Sequence, residues 1–256
     1  MSNTALITGA SSGIGREFAR YHAAKGGDLI ITARRENKLN ELKDELESKH
    51  GINVKTIPLD LGAQGAAKAL YDATQSAQID ILINNAGFGG HGTFLDRGLE
   101  ADMNMLDLNV AALVQLCHLV GKDMVARGSG KVLNVSSTGA YQPGPLQATY
   151  FATKAFVSTL SPALDFEWRP YGVTVTALEP GFVDTGFAQA AAMDQLAMTQ
   201  DNPATPENVA KFGYEAMLKG KLRVINDRKM RFMLNWLVPL LPRRMVMKMV
   251  YDMQMK

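Results

Sequence analysis

The chain has 256 residues, 46% hydrophobic and 20% charged, a balance that fits one α/β domain with a buried sheet. A net charge of +2 gives no argument for nucleic acid, and the single cysteine, Cys117, excludes an internal disulfide and points to a reducing compartment. The four histidines, His22, His50, His91 and His118, lack metal-ligand spacing, so no metal site is expected.

In chain order, Ala5-Leu6-Ile7-Thr8 is short, apolar and β-prone. It runs into Gly9-Ala10-Ser11-Ser12-Gly13-Ile14-Gly15, and a helical pattern follows through Phe18, Ala19, Tyr21 and His22 until Gly26-Gly27 stops it. Strand, glycine turn and helix together form a phosphate cradle. Glycine lets the backbone approach the anion, and the helix N-terminus offers unpaired N–H groups and a positive dipole end. The spacing is Gly-x-x-x-Gly-x-Gly rather than Gly-x-Gly-x-x-Gly. Further strands are predicted at 28–32, 53–58, 79–83, 131–136, 173–178 and 222–225, and helices at 37–50, 63–76, 103–126, 150–168 and 206–219. This alternation predicts parallel βαβ units in a doubly wound, mostly parallel seven-stranded sheet, a three-layer αβα domain spanning residues 1–256. Runs such as Leu29-Ile30-Ile31 and Ile81-Leu82-Ile83 suit strands covered on both faces.

Candidate site residues fall at strand ends and on two helices. Asp60-Leu61 closes the third strand, where Asp60 also suits a helix N-cap for a segment starting near Ala63. Asn84-Asn85-Ala86-Gly87 closes the fourth, at the carboxyl edge where open α/β sheets take ligands. Gly87 permits close backbone approach there, and Asn84 suits a tie between strands. Asn109 interrupts an apolar helix between Leu108 and Val110, a poor interior position for asparagine. Tyr150 and Lys154 stand at i and i+4, so an ammonium can act on a phenol whose ordinary pKa is near 10. Ser137 lies thirteen residues before the tyrosine, placed to hold a substrate oxygen; Ser136 points to the opposite strand face and packs.

These motifs resemble a short-chain dehydrogenase/reductase of the shorter, single-domain branch. Thr8-Gly9-Ala10-Ser11-Ser12-Gly13-Ile14-Gly15, Asn84-Asn85-Ala86-Gly87, Asn109, Ser137, Tyr150 with Lys154, and Pro180-Gly181 with Thr185 occur in that family's order. The resemblance implies a Rossmann fold and an oxidoreductase acting on CH–OH or C=O groups. It makes Tyr150 the general acid or base, with Ser137 as its partner on the substrate oxygen. Lys154 would lower the phenol pKa and hold the nicotinamide ribose. Asn109 would distort its helix and anchor a water linked to the lysine. The cofactor would lie along Gly9, Ser11, Ser12, Gly13, Ile14 and Gly15, with Asp60 and the Leu61 backbone at the adenine. Asn85, Ala86 and Gly87 would border it, and Pro180, Gly181, the Val183 backbone and Thr185 would meet the nicotinamide end. Residues 186–205 resemble a substrate lid, or a plain surface helix over 188–198. Helices 103–126 and 150–168 correspond to those that pair subunits, so a homodimer or homotetramer is expected.

About twenty positions past the glycine turn, an acidic residue would bond a ribose 2′-hydroxyl. The chain instead has Thr32-Ala33-Arg34-Arg35. A guanidinium fork suits a 2′-phosphate, so NADP(H) is expected over NAD(H). The competing role for Arg34 and Arg35 is a solvated helix start paired with Glu36.

The tail departs from the family pattern. From Lys221 to Lys256 there are nine Lys or Arg against two Asp, a net of +7, so the rest of the chain carries −5. Seven of the fourteen methionines follow Lys229. Three roles stay open for this 226–256 extension: an anionic membrane surface, an entrance for a greasy substrate, or packing across the cleft or a subunit interface. Phe88, Tyr141, Gln142, Leu146 and Phe187 lie near the expected pocket, and with the tail they suggest a lipophilic small-molecule carbonyl or alcohol substrate. No secretory leader precedes the first strand, and Pro239 breaks the richest apolar run, so no membrane span is expected. The expected location is cytoplasmic, with membrane association at most peripheral. A non-catalytic NADP-binding scaffold or redox sensor is the competing function, and the presence of Ser137, Tyr150 and Lys154 together argues against it.

Overall fold

The computed structural model describes residues 3–185 and 204–255. Seven parallel strands form one sheet in the order β3-β2-β1-β4-β5-β6-β7. They are β1 Ala5–Thr8, β2 Leu29–Ala33, β3 Val54–Pro58, β4 Ile81–Asn84, β5 Gly130–Val135, β6 Val173–Leu178 and β7 Arg223–Val224. The helices are α1 Gly13–Ala23, α2 Glu36–His50, α3 Ala66–Ala73, α4 Leu99–Leu106, α5 Leu113–Arg127, α6 Ala148–Trp168, α7 Pro206–Leu218, α8 Arg228–Phe232 and α9 Arg243–Gln254.

Successive strand residues face opposite sides, and both sides are buried. Ile7, Ile31, Ile83 and Leu133 pack under α1, α2 and α7, together with Phe18, Leu42 and Tyr214. Leu6, Ile30, Leu82 and Val132 pack on the other side with Leu70 of α3, Leu116 and Val120 of α5, and Val157 of α6. Two apolar cores thus clamp the sheet, giving the expected three layers. The strand order reverses between β1 and β4, so the crevice for a ligand opens at their carboxyl ends.

Several boundaries differ from expectation. The predicted helix 103–126 is composite: α4 and α5 are joined by a π-helical turn, Asp107–Ala112, that contains Asn109. Helix α3 is shorter than the predicted 63–76. Its N-cap is Gly65, so Asp60 does not cap it; the Asp60 carboxylate accepts instead from Gly62 N at 3.0 Å and closes a tight turn. Strand β7 keeps only two residues because only Arg223 and Val224 pair with β6. The expectation of no membrane-length apolar helix is corrected as well. Leu99–Arg127, 29 residues, is long and apolar enough to cross a membrane by length and composition. Here one face of that segment packs into the core through Met105, Leu113, Leu116 and Val120.

The region 186–203, with Phe187 and most of the expected lid, lies outside the described residues. At its edges Val183 pairs with Ala204 in an isolated parallel bridge, and Thr205 caps α7 through its hydroxyl.

Candidate active site

The glycine turn begins where β1 ends. Gly9 and Gly13 adopt φ of +69° and +54°, conformations that side chains rarely take. A Cβ on Gly15 would lie 2.4 Å from the Gly9 carbonyl oxygen, so the close return of the turn onto itself requires glycine. No acidic residue occupies the first turn of α1, which leaves its positive end open to an anion. Thr8 ties this turn to the end of β4: its hydroxyl accepts from both Asn85 N and Ala86 N at 3.0 Å. Asn85 Nδ2 returns a bond to the Thr8 carbonyl at 2.9 Å.

Arg35 reaches back over the turn, and its guanidinium donates to Ser11 Oγ at 3.0 Å and Ser12 Oγ at 2.7 Å. Arg34 faces Asp60 at 3.9 Å, both largely exposed. The partners are therefore the serines and Asp60 rather than Glu36.

Ser137, Tyr150 and Lys154 meet at the carboxyl edge of β5. Ser137 caps the short 3-10 turn Thr138–Tyr141 by accepting from Gly139 N at 3.0 Å, which leaves its own proton to donate. The Lys154 ammonium lies 5.8 Å from the Tyr150 ring centre and donates to the Val135 carbonyl at 3.0 Å. Burial pushes Lys154 down to about 8. Burial also pushes the Tyr150 phenol up to about 12, against a hydrogen bond to Ser137 that pulls it down. The expected lowering of the phenol by Lys154 is not seen here: burial sets the direction, and Ser137 is the group that opposes it.

Asn109 is buried opposite them. Its amide donates to the Phe88 carbonyl at 2.9 Å and to Thr153 Oγ1 at 3.1 Å, and accepts from Phe88 N at 3.1 Å. Every polar atom of that side chain therefore has a protein partner. Gly87 lies between: a Cβ there would be 3.0 Å from Asn109 Oδ1 and 3.4 Å from Lys154 Nζ. The asparagine lies within the π-helical turn and ties the Phe88 backbone beside the lysine.

All these groups line one cleft of about 750 Å³. It runs from Arg34, Arg35, Asp60 and Leu61, past Gly9, Gly13, Ile14 and Gly87, to Ser137, Tyr150 and Lys154. Pro180, Gly181, Val183 and Thr185 form its far wall, and a Cβ on Gly13 would meet Thr185 at 3.1 Å. Asn109 and Gly15 stand behind this lining. Basic groups at one end, backbone N–H groups in the middle and a phenol with an ammonium at the other fit an elongated phosphate-bearing dinucleotide.

The remaining wall comes from the tail. Met230, Met233, Leu234, Val250, Met253 and Gln254 all line the cleft, so part of the extension packs against it. Of the expected pocket residues, Phe88 and Gln142 line the cleft. Tyr141 is turned away and donates to Glu179 at 2.7 Å, and Leu146 is buried in a left-handed conformation, φ +67°. Sequence reasoning missed Gln147, Gln254 and the clamp before Tyr150. In that clamp Arg97 pairs with Asp102 at 2.7 Å, and Thr149 donates to Asp102 at 2.9 Å. Among the other expectations, Asn84 does tie strands, donating to Asn134 at 2.9 Å. Ser136 packs, bonding Ser158 at 2.8 Å and the Lys154 carbonyl at 2.7 Å. Burial pushes the Cys117 thiol up to about 12, which makes it inert. No group of metal-binding side chains occurs among the described residues.

A doubly wound sheet with a glycine turn and a serine–tyrosine–lysine cluster along its carboxyl edge defines a dinucleotide-linked oxidoreductase. The family model described as "short chain dehydrogenase" matches residues 3–196, and the chain belongs to that family. It is 32% identical over 211 residues to the very-long-chain 3-oxoacyl-CoA reductase-B of Danio rerio, covering 81% of this chain and 66% of that protein. It is 34% identical over 235 residues to sulfoacetaldehyde reductase 2 of Chromohalobacter salexigens, covering 88% and 92%. The chain spans less than two thirds of the length of several of the long-chain reductases it matches, 66% and 56% for two of them. Among solved structures, a short-chain dehydrogenase from Sphingobium yanoikuyae in complex with NADPH superposes with a TM-score of 0.86 at 30% identity, over 96% of this chain and 95% of that one.

Proposed function

We propose that this protein is an NADP(H)-dependent reductase of a lipophilic small-molecule carbonyl, with Tyr150 as the proton donor. The observation that carries the reading is the meeting of Ser137, Tyr150 and Lys154 in the same cleft as the glycine turn. The cofactor supplies hydride transfer when bound, and the protein supplies position and electrostatics. A phenol held near 12 keeps its proton at neutral pH, which suits donation to a carbonyl oxygen rather than abstraction from an alcohol. Ser137 has its proton available and orients the same oxygen. Lys154 keeps positive charge beside the developing alkoxide, and Asn109 fixes Phe88 and Thr153 around it. Changing Tyr150→Phe should cut turnover by about 10²–10⁴ while NADPH binding stays within a few-fold. NADPH oxidation with a panel of aliphatic and aromatic carbonyl compounds measures the first, and NADPH fluorescence titration the second. Near-normal turnover in the variant removes Tyr150 from the chemistry. NADPH binding without turnover across the panel favours the competing scaffold reading.

The preference for NADP(H) rests on Arg35, which lies over Ser11 and Ser12 with Arg34 beside it. Charge-assisted bonds to a 2′-phosphate contribute roughly 1.5–3 kcal/mol, about ten- to hundredfold in affinity. Arg35→Ala should weaken NADPH by that factor and leave NADH little changed. Equal losses for the two nucleotides would show that Arg35 only supports the turn. The lipophilic substrate rests on the methionine and leucine wall from the tail. Some relatives carry names of long-chain 3-oxoacyl-CoA reductases, which agrees with it.

A further inference from the structure

Two buried polar atoms of the cleft wall stand out. Gln254 Nε2 and Gln142 Oε1 are both buried without a hydrogen-bond partner among the described residues, and both residues line the cleft. Gln254 is 1% exposed, near the end of α9. Its carbonyl end is occupied: Gln147 Nε2 donates to Gln254 Oε1 at 2.8 Å. Its backbone carbonyl accepts from His91 Nε2 at 3.1 Å, which fixes the residue from a second direction. Gln147 precedes α6, and its carbonyl accepts from Phe151 N at 3.0 Å, so the pair sits one helical turn from Tyr150. The amide is therefore oriented, buried and close to the reacting end of the cleft, with its N–H end unmatched among the described residues.

We propose that Gln254 is a substrate-binding, specificity-determining residue whose amide N–H donates to an oxygen acceptor on the substrate, separate from the carbonyl being reduced. The inference rests on the reductase reading above and narrows its substrate class. A purely hydrocarbon ketone leaves the Gln254 donor desolvated and unpaired, a state buried polar groups avoid. A chain with a second carbonyl satisfies Gln254 while its alkyl part lies against Met230, Met233, Leu234, Val250 and Met253. Sites built around a substrate hydrogen bond reject analogues lacking it more strongly than apolar pockets reject a missing methylene. The substrate is amphiphilic rather than simply greasy.

The test uses the full chain with NADPH, ethyl 3-oxo, 4-oxo and 5-oxo alkanoates, and simple alkyl ketones of matching length. At least one oxo ester should exceed its matching ketone in kcat/KM by roughly tenfold or more. Gln254→Leu should erase that ratio, chiefly by slowing the oxo ester. Gln254→Glu keeps the size and the bond from Gln147 but replaces the donor by an acceptor, so it should also erase the ratio. It guards against a folding defect in the leucine variant. Binding of the preferred oxo ester to the NADP⁺ complex, followed by intrinsic fluorescence, should weaken by the same factor. If the wild type reduces ketones but shows no preference, or both variants keep it, the role of Gln254 is overturned while the reductase reading stands. If no carbonyl compound is reduced and none binds the NADP⁺ complex, both are overturned.

Discussion

Tyr150 and Lys154 titrate in opposite directions for one reason, the withdrawal of water from both. A buried ammonium at about 8 against an ordinary 10.5 means that the unfolded chain binds more protons between those values. The folded state therefore gains stability from Lys154 as pH rises from about 8 to 10.5, and loses it as pH falls back through 8. Tyr150 has the reverse sign: its contribution is full below pH 10 and fades as pH rises toward 12. Two consequences follow. Carbonyl reduction should fall off above about pH 8, where Lys154 gives up its charge. Lys154→Met should abolish most turnover yet raise stability at pH 7 by roughly 1–3 kcal/mol, read by urea unfolding. A variant less stable than wild type would mean that the bond to the Val135 carbonyl outweighs the desolvation of the charge. At this scale the sequence told a great deal. A helical i, i+4 pair and a strand-end serine are local patterns, and folding brought them together. The burial that sets their protonation is tertiary, so the sign of the Tyr150 shift was not legible. Nor was the choice of Ser11, Ser12 and Asp60 over Glu36 as partners for the two arginines.

Strands and helices were legible where periodicity is strong. Leu6 and Ile7 feed opposite cores, as do Ile30 and Ile31, and such runs announce doubly covered strands. The π-turn was legible only as an oddity, since Asn109 marked an unfavourable interior residue without saying how the helix would yield. The tail was the least legible element. Gln254 finds Gln147 across 107 residues, and no local pattern encodes that meeting. Helix α9 has two unlike faces. Val246, Val250 and Gln254 are buried, whereas Met245 and Met249 stand one turn apart on the outer side, each about half exposed. Trp236 and Leu240, just before α9, are also exposed, and α9 carries Arg243, Arg244 and Lys248. We propose that this outer face rests on an anionic membrane surface. Vesicles containing phosphatidylserine should co-sediment the protein at low salt and release it at high salt, and Trp236→Ser with Leu240→Ser should weaken retention severalfold. No retention on anionic vesicles at low salt would remove the membrane from the account.

Over the whole molecule, exposed apolar side chains recur on the helices flanking β5. Met103 and Leu106 of α4, Val114 of α5, and Phe156 and Phe166 of α6 face solvent in one chain, Phe166 at 83% exposure. These are the helices that the family resemblance assigns to subunit pairing, and large exposed apolar patches mark association sites. We expect a homodimer or homotetramer by light scattering, and Phe156→Glu with Phe166→Glu should shift it toward monomer at micromolar concentration. A monomeric wild type would refute this. The parentage of the cleft has a separate consequence. On the proposed reading the nucleotide seat is laid down mainly by residues 9–87, whereas much of the carbonyl seat is built by residues 230–254. Two selective pressures can therefore act on distant stretches of one gene with little interference. Transplanting the segment after Ile225 from a relative should transfer that relative's taste in carbonyl compounds and leave the recipient's choice of nucleotide behind.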